Sequence, residues 1–331
     1  MCKRGLIMYD NLDFKIRNID APNVDFLSET TNYLDFITGE HNFNGNRVIS
    51  GILGNTINDN YFKIMISERE INIKNGSLCK YYLGDNFQTL GRGDTKRAIE
   101  KLSDTLHLPI DESIVTRLDI AGNFIVKQKI ENYYNHLGEL KNAKRSPVTN
   151  GSGNIEGLYY FKNFGTFLFY NKLKEQKDKG QPIPELYQDR NVLRIEQRYH
   201  KRLPQAFNIE RVTASMLYDE KFYINLLNKW KENYFNIKKI NDVTLNVEAM
   251  KTKTDLYNLG ILALAEIMGG ELNILSKVKE SQMAGNIDKK QAFDLRQAIT
   301  SACKEKVDIT AKNDCILELD KKVVEAIKFY R

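Results

Sequence analysis

The fold is indicated most clearly by the segment Phe167-Leu-Phe-Tyr-Asn-Lys-Leu-Lys-Glu-Gln-Lys-Asp178, in which an aromatic run ends on a tyrosine and a charged run begins. Aromatic residues favour β-strands, so the first four residues predict the end of a strand. Acid-bearing strands are predicted on either side of it in sequence, around Asp119 and Glu196. We therefore expect one sheet that carries a tyrosine, lysines and carboxylates together.

The rest of the chain predicts further strands and helices around this segment. β-Branched and aromatic runs predict strands at 61–66, 114–121, 158–170 and 192–199, and Asn75-Gly76 predicts a hairpin turn between 70–74 and 77–83. Apolar spacings of three and four predict helices at about 94–106 and 127–140, and after Pro204 at 210–236, 251–268, 288–304 and 320–329.

This order of elements predicts an α+β fold. We expect an antiparallel-biased sheet backed by helices, of the RRM-like or ferredoxin-like kind, followed by a helical C-terminal region. The corresponding division is an N-terminal extension at 1–60, a catalytic domain at 61–205 and a helical region at 206–331, which we expect to bind DNA or to form oligomers.

Composition and charge narrow the class of protein. Of 331 residues, 42% are hydrophobic and only 6 are proline, which is typical of a globular protein. Residues 160–211 contain 11 Lys and Arg against 6 Asp and Glu, so most of the net charge of +6 surrounds Tyr170. Cys2, Cys79, Cys303 and Cys315 lack zinc-knuckle spacing and suit a reducing compartment. With no signal-peptide core and no long apolar run, we expect a cytoplasmic protein without a membrane partner.

The two acid-bearing strands predict either a metal site or ion pairs. Alternation places Arg117 and Asp119 on one face of their strand, and Arg194, Glu196 and Arg198 on one face of theirs. If the strands are neighbours, Asp119 and Glu196 converge on one oxygen-preferring ion, Mg²⁺ or Mn²⁺. The alternative is that Arg117–Asp119 and Arg194–Glu196 are ordinary ion pairs.

Tyr170 is the candidate nucleophile for a phosphodiester. A metal would polarise the phosphate, and Lys172 would neutralise the charge that develops on it. Tyr159 and Tyr160 are the rival tyrosines. Phosphate contacts are expected from the basic residues Arg117, Lys174, Lys177, Lys179, Arg194, Arg198, Lys201 and Arg202.

The segments Thr116-Arg-Leu-Asp-Ile-Ala121, Phe169-Tyr-Asn-Lys-Leu-Lys-Glu-Gln-Lys-Asp178 and Leu193-Arg-Ile-Glu196 resemble rolling-circle replication initiators of the plasmid Rep-trans family. That family also includes relaxases of some integrative conjugative elements. The chain likewise resembles the gene II and gene X type replication proteins of filamentous phages and related plasmids. The resemblance covers about residues 60–205. The fold that it implies is an HUH-like palm, but one that lacks the His-x-His pair, because this sequence has no two histidines at that spacing.

The resemblance implies a nucleophile at Tyr170, metal carboxylates at Asp119 and Glu196, and a basic partner at Lys172. It further implies nicking of one strand at a replication origin, a 5′-phosphotyrosyl link and a released 3′-hydroxyl primer. The sequence departs from the family at Asn123 and Arg198, where many members have a second acid. Glu70 is then a candidate for completing the metal site.

The expected function is thus a metal-dependent DNA nickase and strand transferase that initiates rolling-circle replication. Its expected partners are double- and single-stranded origin DNA. We expect the C-terminal helices to form a homodimer or to recruit a host helicase. One alternative is a conjugative relaxase of a mobile element. Another is a non-catalytic RRM-like nucleic-acid-binding protein, whose exposed aromatics would be Phe161, Phe164, Phe167 and Phe169.

Overall fold

The computed structural model describes residues 6–17, 34–41, 47–56, 60–67, 70–240, 242–243, 250–304, 310–311 and 313–328. The strands are β1 Leu6–Arg17, β2 Leu34–His41, β3 Arg47–Asn55, β4 Asn60–Ile66, β5 Glu70–Ser77, β6 Ile114–Val126, β7 Leu137–Leu140, β8 Lys144–Thr149, β9 Ile155–Lys162, β10 Gly165–Asn171, β11 Asn191–Tyr199, β12 Ile237–Lys239, β13 Asp242–Val243 and β14 Thr310–Ala311. The α-helices are α1 Leu78–Leu83, α2 Arg92–Leu106, α3 Ile130–Asn135, α4 Lys172–Asp178, α5 Leu203–Phe207, α6 Glu220–Phe235, α7 Lys253–Ile267, α8 Glu271–Met283, α9 Lys289–Lys304 and α10 Asp314–Lys328.

A ten-stranded sheet dominates the protein, in the order β2-β3-β4-β5-β1-β6-β11-β10-β9-β8. Its neighbouring strands pair antiparallel throughout. The α+β fold with an antiparallel sheet and a helical C-terminal region is therefore confirmed. β1, which the sequence assigns to an N-terminal extension, lies in the middle of this sheet between β5 and β6.

One face of the sheet is covered by helices and forms the main core. Trp230 of α6 is fully buried, with its ring centroid 6.1 Å from those of both Phe124 and Phe167. Leu319 and Val323 of α10 belong to the same core, whereas helices α7, α8 and α9 form a small separate one. The core therefore does not divide near residue 205, because helices from both ends of the C-terminal half pack on the sheet. No single helix within the described ranges has the length and apolar character needed to cross a bilayer.

The hairpin predicted at Asn75-Gly76 is wrong, because β5 runs through these residues. Leu12 pairs with Gly76 and Phe14 with Ile73, so two residues of β5 face one residue of β1 in a β-bulge. Asn75 has a φ of 63°, and a Cβ on residue 76 would lie 1.9 Å from a ring atom of Phe62. The Asn-Gly pair thus provides positive φ and close packing within a strand rather than in a turn.

Two other predicted elements are also divided. The strand expected at 158–170 is the hairpin β9–β10, in which Lys162 pairs with Gly165. The helix expected at 127–140 ends at Asn135, because the following residues pair as β7 with the distant β12. Such long-range strand pairing overrides local helix preference and is not visible in the local sequence pattern.

Candidate active site

The face of the sheet opposite the main core, called here the open face, carries three rows of directly paired residues across β6, β11 and β10. Each row has one residue from each strand, and the rows are Asp119–Arg198–Thr166, Ala121–Glu196–Leu168 and Asn123–Arg194–Tyr170. Since paired residues of an antiparallel sheet share a face, the predicted nucleophile and both predicted carboxylates lie on the same surface. The adjacency of the two acid-bearing strands, on which the metal-site interpretation depends, is present in the structure, because β6 and β11 pair directly.

Tyr170 is held by one of these carboxylates. Its hydroxyl donates a hydrogen bond to Oε2 of Glu196 over 2.9 Å. Part of the side chain is exposed, but the hydroxyl is enclosed by protein. This burial, followed by the charge of Glu196, raises the pKa of Tyr170 well above its ordinary value. The residue is therefore a neutral phenol at neutral pH, with a proton acceptor already in place.

Glu196 is completely buried and is contacted by two guanidinium groups. Arg198 Nε lies 2.6 Å from Oε1, and Arg194 Nε lies 3.2 Å from Oε2. Burial raises the pKa of Glu196, but Arg198 and Arg194 outweigh it and hold the pKa below the ordinary value. Glu196 therefore stays ionised at neutral pH and accepts the hydrogen bond of a neutral phenol.

Arg194 is fully buried and links three strands. Beyond Glu196, it binds Asn123 Oδ1 at 2.9 Å, the carbonyl oxygen of Asn86 at 3.3 Å and Asp10 Oδ2 at 2.5 Å. Arg194 was predicted to contact DNA phosphates, but its guanidinium lies beneath the surface and is occupied by these partners. Its role in this arrangement is to position the acids.

Asp10 is the main residue that the sequence prediction missed. It lies on β1 where Tyr9 pairs with Ile120 and Leu12 with Leu118, a bulge that places Asp10 and Asn11 opposite Asp119. Ser77 and Asn86 donate hydrogen bonds to Asp10 Oδ1 over 2.7 and 3.2 Å. Burial alone would raise the pKa of Asp10, but Arg194 and then Lys172 lower it below its usual range. An acid within an apolar strand, the signal that selected Asp119, also marks Asp10.

Asp119 is fully buried and faces Arg117, whose Nε lies 3.1 Å from each carboxylate oxygen. Asn11 Nδ2 donates a hydrogen bond to Asp119 Oδ2 over 3.3 Å. Burial, followed by the charge of Glu196, raises the pKa of Asp119 to about 7. The two carboxylates are therefore close enough to repel each other.

Lys172 begins α4 directly after β10, with Asn171 as the N-cap. Its side chain is 1% exposed, and its Nζ lies 2.8 Å from Glu175 Oε2 and 3.1 Å from Gln176 Oε1. Burial and then the charge of Arg194 lower the pKa of Lys172 to about 8. Lys172 and Tyr170 both line a small cavity of about 80 Å³.

The other predicted DNA contacts differ in their exposure, in their ion pairs and in whether they line this cavity. Lys179 and Arg198 line it, with side chains 48% and 32% exposed. Lys174 pairs with Glu156 and Asp178, and Arg117 pairs with Asp119. Lys177, Lys201 and Arg202 are exposed. These three side chains are accessible to phosphates. The ion-paired residues, which include Lys179 with Glu175 and Arg198 with Glu196, would first have to exchange partners.

As arranged, the acids do not form a ready metal site. In the described ranges, no three His, Cys, Asp or Glu side chains are grouped as a metal would require. Instead, Arg198 Nε lies 2.6 Å from Glu196 and 4.0 Å from Asp119, so a guanidinium lies between the two predicted ligands. Glu70 binds Lys15 at the far end of β1 and takes no part in this group.

The sequence of residues 8–232 matches the model of a phage protein family, Phage_CRI, which describes the N-terminal part of a replication-associated protein. No curated protein matches the sequence. A solved structure of Methanococcus jannaschii TBP aligns with 61% of this chain and 93% of its own, at 7% identity and a TM-score of 0.31.

Proposed function

Since the chain belongs to this phage family of replication-associated proteins, we propose that it initiates rolling-circle replication by nicking one DNA strand with Tyr170. The observation that carries this proposal is the hydrogen bond from the Tyr170 hydroxyl to the buried, ionised Glu196. A tyrosine hydroxyl that is hydrogen-bonded to a carboxylate, with arginines and a lysine nearby, has the groups that nucleophilic attack on a phosphate requires.

In the proposed step, the Tyr170 oxygen attacks the scissile phosphorus while Glu196 accepts the phenolic proton. A bond forms between the tyrosine oxygen and phosphorus, the bond from phosphorus to the 3′-oxygen breaks, and that oxygen takes up a proton. The 5′-phosphate is left on Tyr170 and the 3′-hydroxyl is free to prime synthesis. Arg198 and Lys172 line the same cavity and stabilise the negative charge on the phosphate.

A matched pair of tyrosine variants tests this proposal. Supercoiled DNA carrying the protein's own gene and flanks is incubated with protein and Mg²⁺ or Mn²⁺, and covalent adducts are separated on denaturing gels. Wild type and Tyr159→Phe, which alters a rival tyrosine on the adjacent strand, are expected to form the adduct, and Tyr170→Phe to form none. An adduct that persists in Tyr170→Phe would assign the nucleophile elsewhere. Binding without any adduct in wild type would favour the non-catalytic alternative.

The Mg²⁺ or Mn²⁺ ion implied by the resemblance is a separate proposal. Asp119 and Glu196 would hold it only after Arg198, whose side chain is one-third exposed, turns away. Removing that competing charge is expected to strengthen Mn²⁺ binding at least several-fold in Arg198→Ala, measured by calorimetric titration without DNA. Asp119→Asn in the same background serves as the control that should lose the gain. Equal Mn²⁺ affinity in wild type and Arg198→Ala would count against these ligands.

A further inference from the structure

The open face of the sheet continues past Tyr170 onto β9, where it carries a pair of aromatic side chains. Tyr159 pairs with Leu168, Phe161 pairs with Thr166, and Gly157 pairs with Tyr170 itself. Tyr159 and Phe161 therefore share the face of Tyr170. Their rings are stacked, with centroids 6.0 Å apart and planes inclined by 28°.

These two rings differ from the aromatic residues on the opposite face. Tyr160, Phe167 and Phe169 point to the helices and are fully buried. Phe161 is 47% exposed, and Tyr159 is partly exposed. Packing in the core therefore explains the first group but not the second, and part of the aromatic surface of the pair is accessible to a ligand.

Positive side chains flank this pair along the same row of the sheet. Lys144 of β8 is exposed and pairs with Phe161, while Arg198 of β11 pairs with Thr166 on the other side. Across the sheet, Lys144, Phe161, Thr166 and Arg198 therefore lie side by side, so that a positive side chain lies on each side of Phe161 and Thr166. Stacking surfaces between cations are how proteins hold single-stranded nucleic acids, because each nucleotide presents one aromatic base and one phosphate.

We propose that Tyr159 and Phe161 form a stacking site for an unpaired base of the DNA strand that Tyr170 attacks. This inference rests on the proposed function, since it uses Tyr170 to fix where the strand runs. Thr166, beside Phe161, lies four residues before Tyr170 on β10, a distance of about 13 Å along the strand. The stacked base is therefore separated from the attacked phosphate by at least one nucleotide. The ligand is single-stranded, because the faces of paired bases in a duplex are already stacked.

Binding of a defined single strand tests the stacking site. Fluorescein-labelled (dT)20 is titrated with full-length protein and followed by anisotropy. Phe161→Ala is expected to weaken binding about 5- to 150-fold, the range for one lost base stack, whereas Phe161→Tyr and Tyr159→Phe keep an aromatic ring and bind as wild type does. Phe293→Ala removes a phenylalanine that is 59% exposed on α9, outside this surface, and is expected to change nothing.

The possible outcomes separate this inference from the proposed nickase. If Phe161→Ala weakens (dT)20 binding while wild type forms no adduct with origin DNA, the stacking site stands and the nickase proposal falls. If wild type forms the Tyr170 adduct but Phe161→Ala binds (dT)20 as tightly as wild type, the stacking site is refuted. An equal loss of affinity for (dT)20 and for a 20-base-pair duplex would also refute it, because a stacked base requires an unpaired strand.

Discussion

The centre and the edge of the open sheet face are built in opposite ways. At the centre, Asp10, Arg194 and Glu196 are almost completely buried and bind one another. At the edge, Phe161 and Lys144 are exposed and pair with each other across β9 and β8. At the centre the charged groups hold one another in place, whereas at the edge side-chain surface stays exposed to solvent.

Under the two proposals above, this difference gives the two regions different roles. Fixed charges in a buried site need no reorganisation during reaction, which favours chemistry. Exposed aromatic surface contributes little to the stability of the folded state. It contributes favourable free energy mainly when a bound ligand covers it. Substitutions at the centre should therefore affect stability and chemistry, and substitutions at the edge should affect affinity.

The largest effect is expected at Arg194. Arg194→Met leaves Asp10 and Glu196 as buried charges without their shared partner, so the free energy of unfolding should fall by about 3–5 kcal/mol in urea denaturation. In Arg198→Met, the lost side chain is one-third exposed and Glu196 keeps Arg194, so the loss should be about 1 kcal/mol. Similar losses in the two variants would show that the centre is not organised around Arg194.

The next effect concerns Glu196, the proton acceptor of the proposed step. Glu196→Gln keeps the shape of the side chain but removes its basicity, so adduct formation should slow by about 10²–10⁴-fold in single-turnover assays. Glu175→Gln is the control, because Glu175 lines the same cavity but binds Lys172 instead of Tyr170. Equal slowing in both variants would assign the effect to the charge of the cavity rather than to proton transfer.

A smaller effect is expected from the titration of Lys172. Its pKa is lowered by burial and by Arg194 from 10.5 to about 8, so between these pH values the unfolded chain binds more protons than the folded one. The free energy of unfolding should therefore rise with pH over this interval, by at most about 3 kcal/mol, and the rise should disappear in Lys172→Met. The measurement is urea denaturation from pH 7.5 to 10.5, with exposed Lys174→Met retaining the rise. A rise that survives in Lys172→Met would refute this assignment.

The smallest change in stability is expected at the edge. Phe161→Ala removes a ring that is about half exposed and stacked with Tyr159, so its free energy of unfolding should fall by less than about 1 kcal/mol. Tyr160→Ala, one residue away on the buried face, should lose about 3–5 kcal/mol. If thermal or urea unfolding shows the same loss of stability in both variants, Phe161 belongs to the core. The contrast between centre and edge would then be wrong.

Most of the candidate site was predictable because it follows from strand alternation. The pattern in Arg117-Leu-Asp and in Arg194-Ile-Glu placed the acids on one face, and the aromatic run placed Tyr170 at a strand end. Asp10 was missed because its strand was assigned to an extension, although it carries the same signal of an acid in an apolar run. The prediction of a hairpin turn at Asn75-Gly76 is wrong because a β-bulge and a hairpin turn use the same backbone conformations.

The sequence by itself determined the α+β class, the strands that carry Asp119, Tyr170 and Glu196, and the positive charge around them. These features depend on local alternation and composition. Only the tertiary structure decided that β1 enters the sheet beside β6, that Arg194 is buried between Asp10 and Glu196, and that Arg198 lies where a metal was expected. Those features depend on which distant strands pair and in which register, and a single strand pattern is compatible with many such pairings.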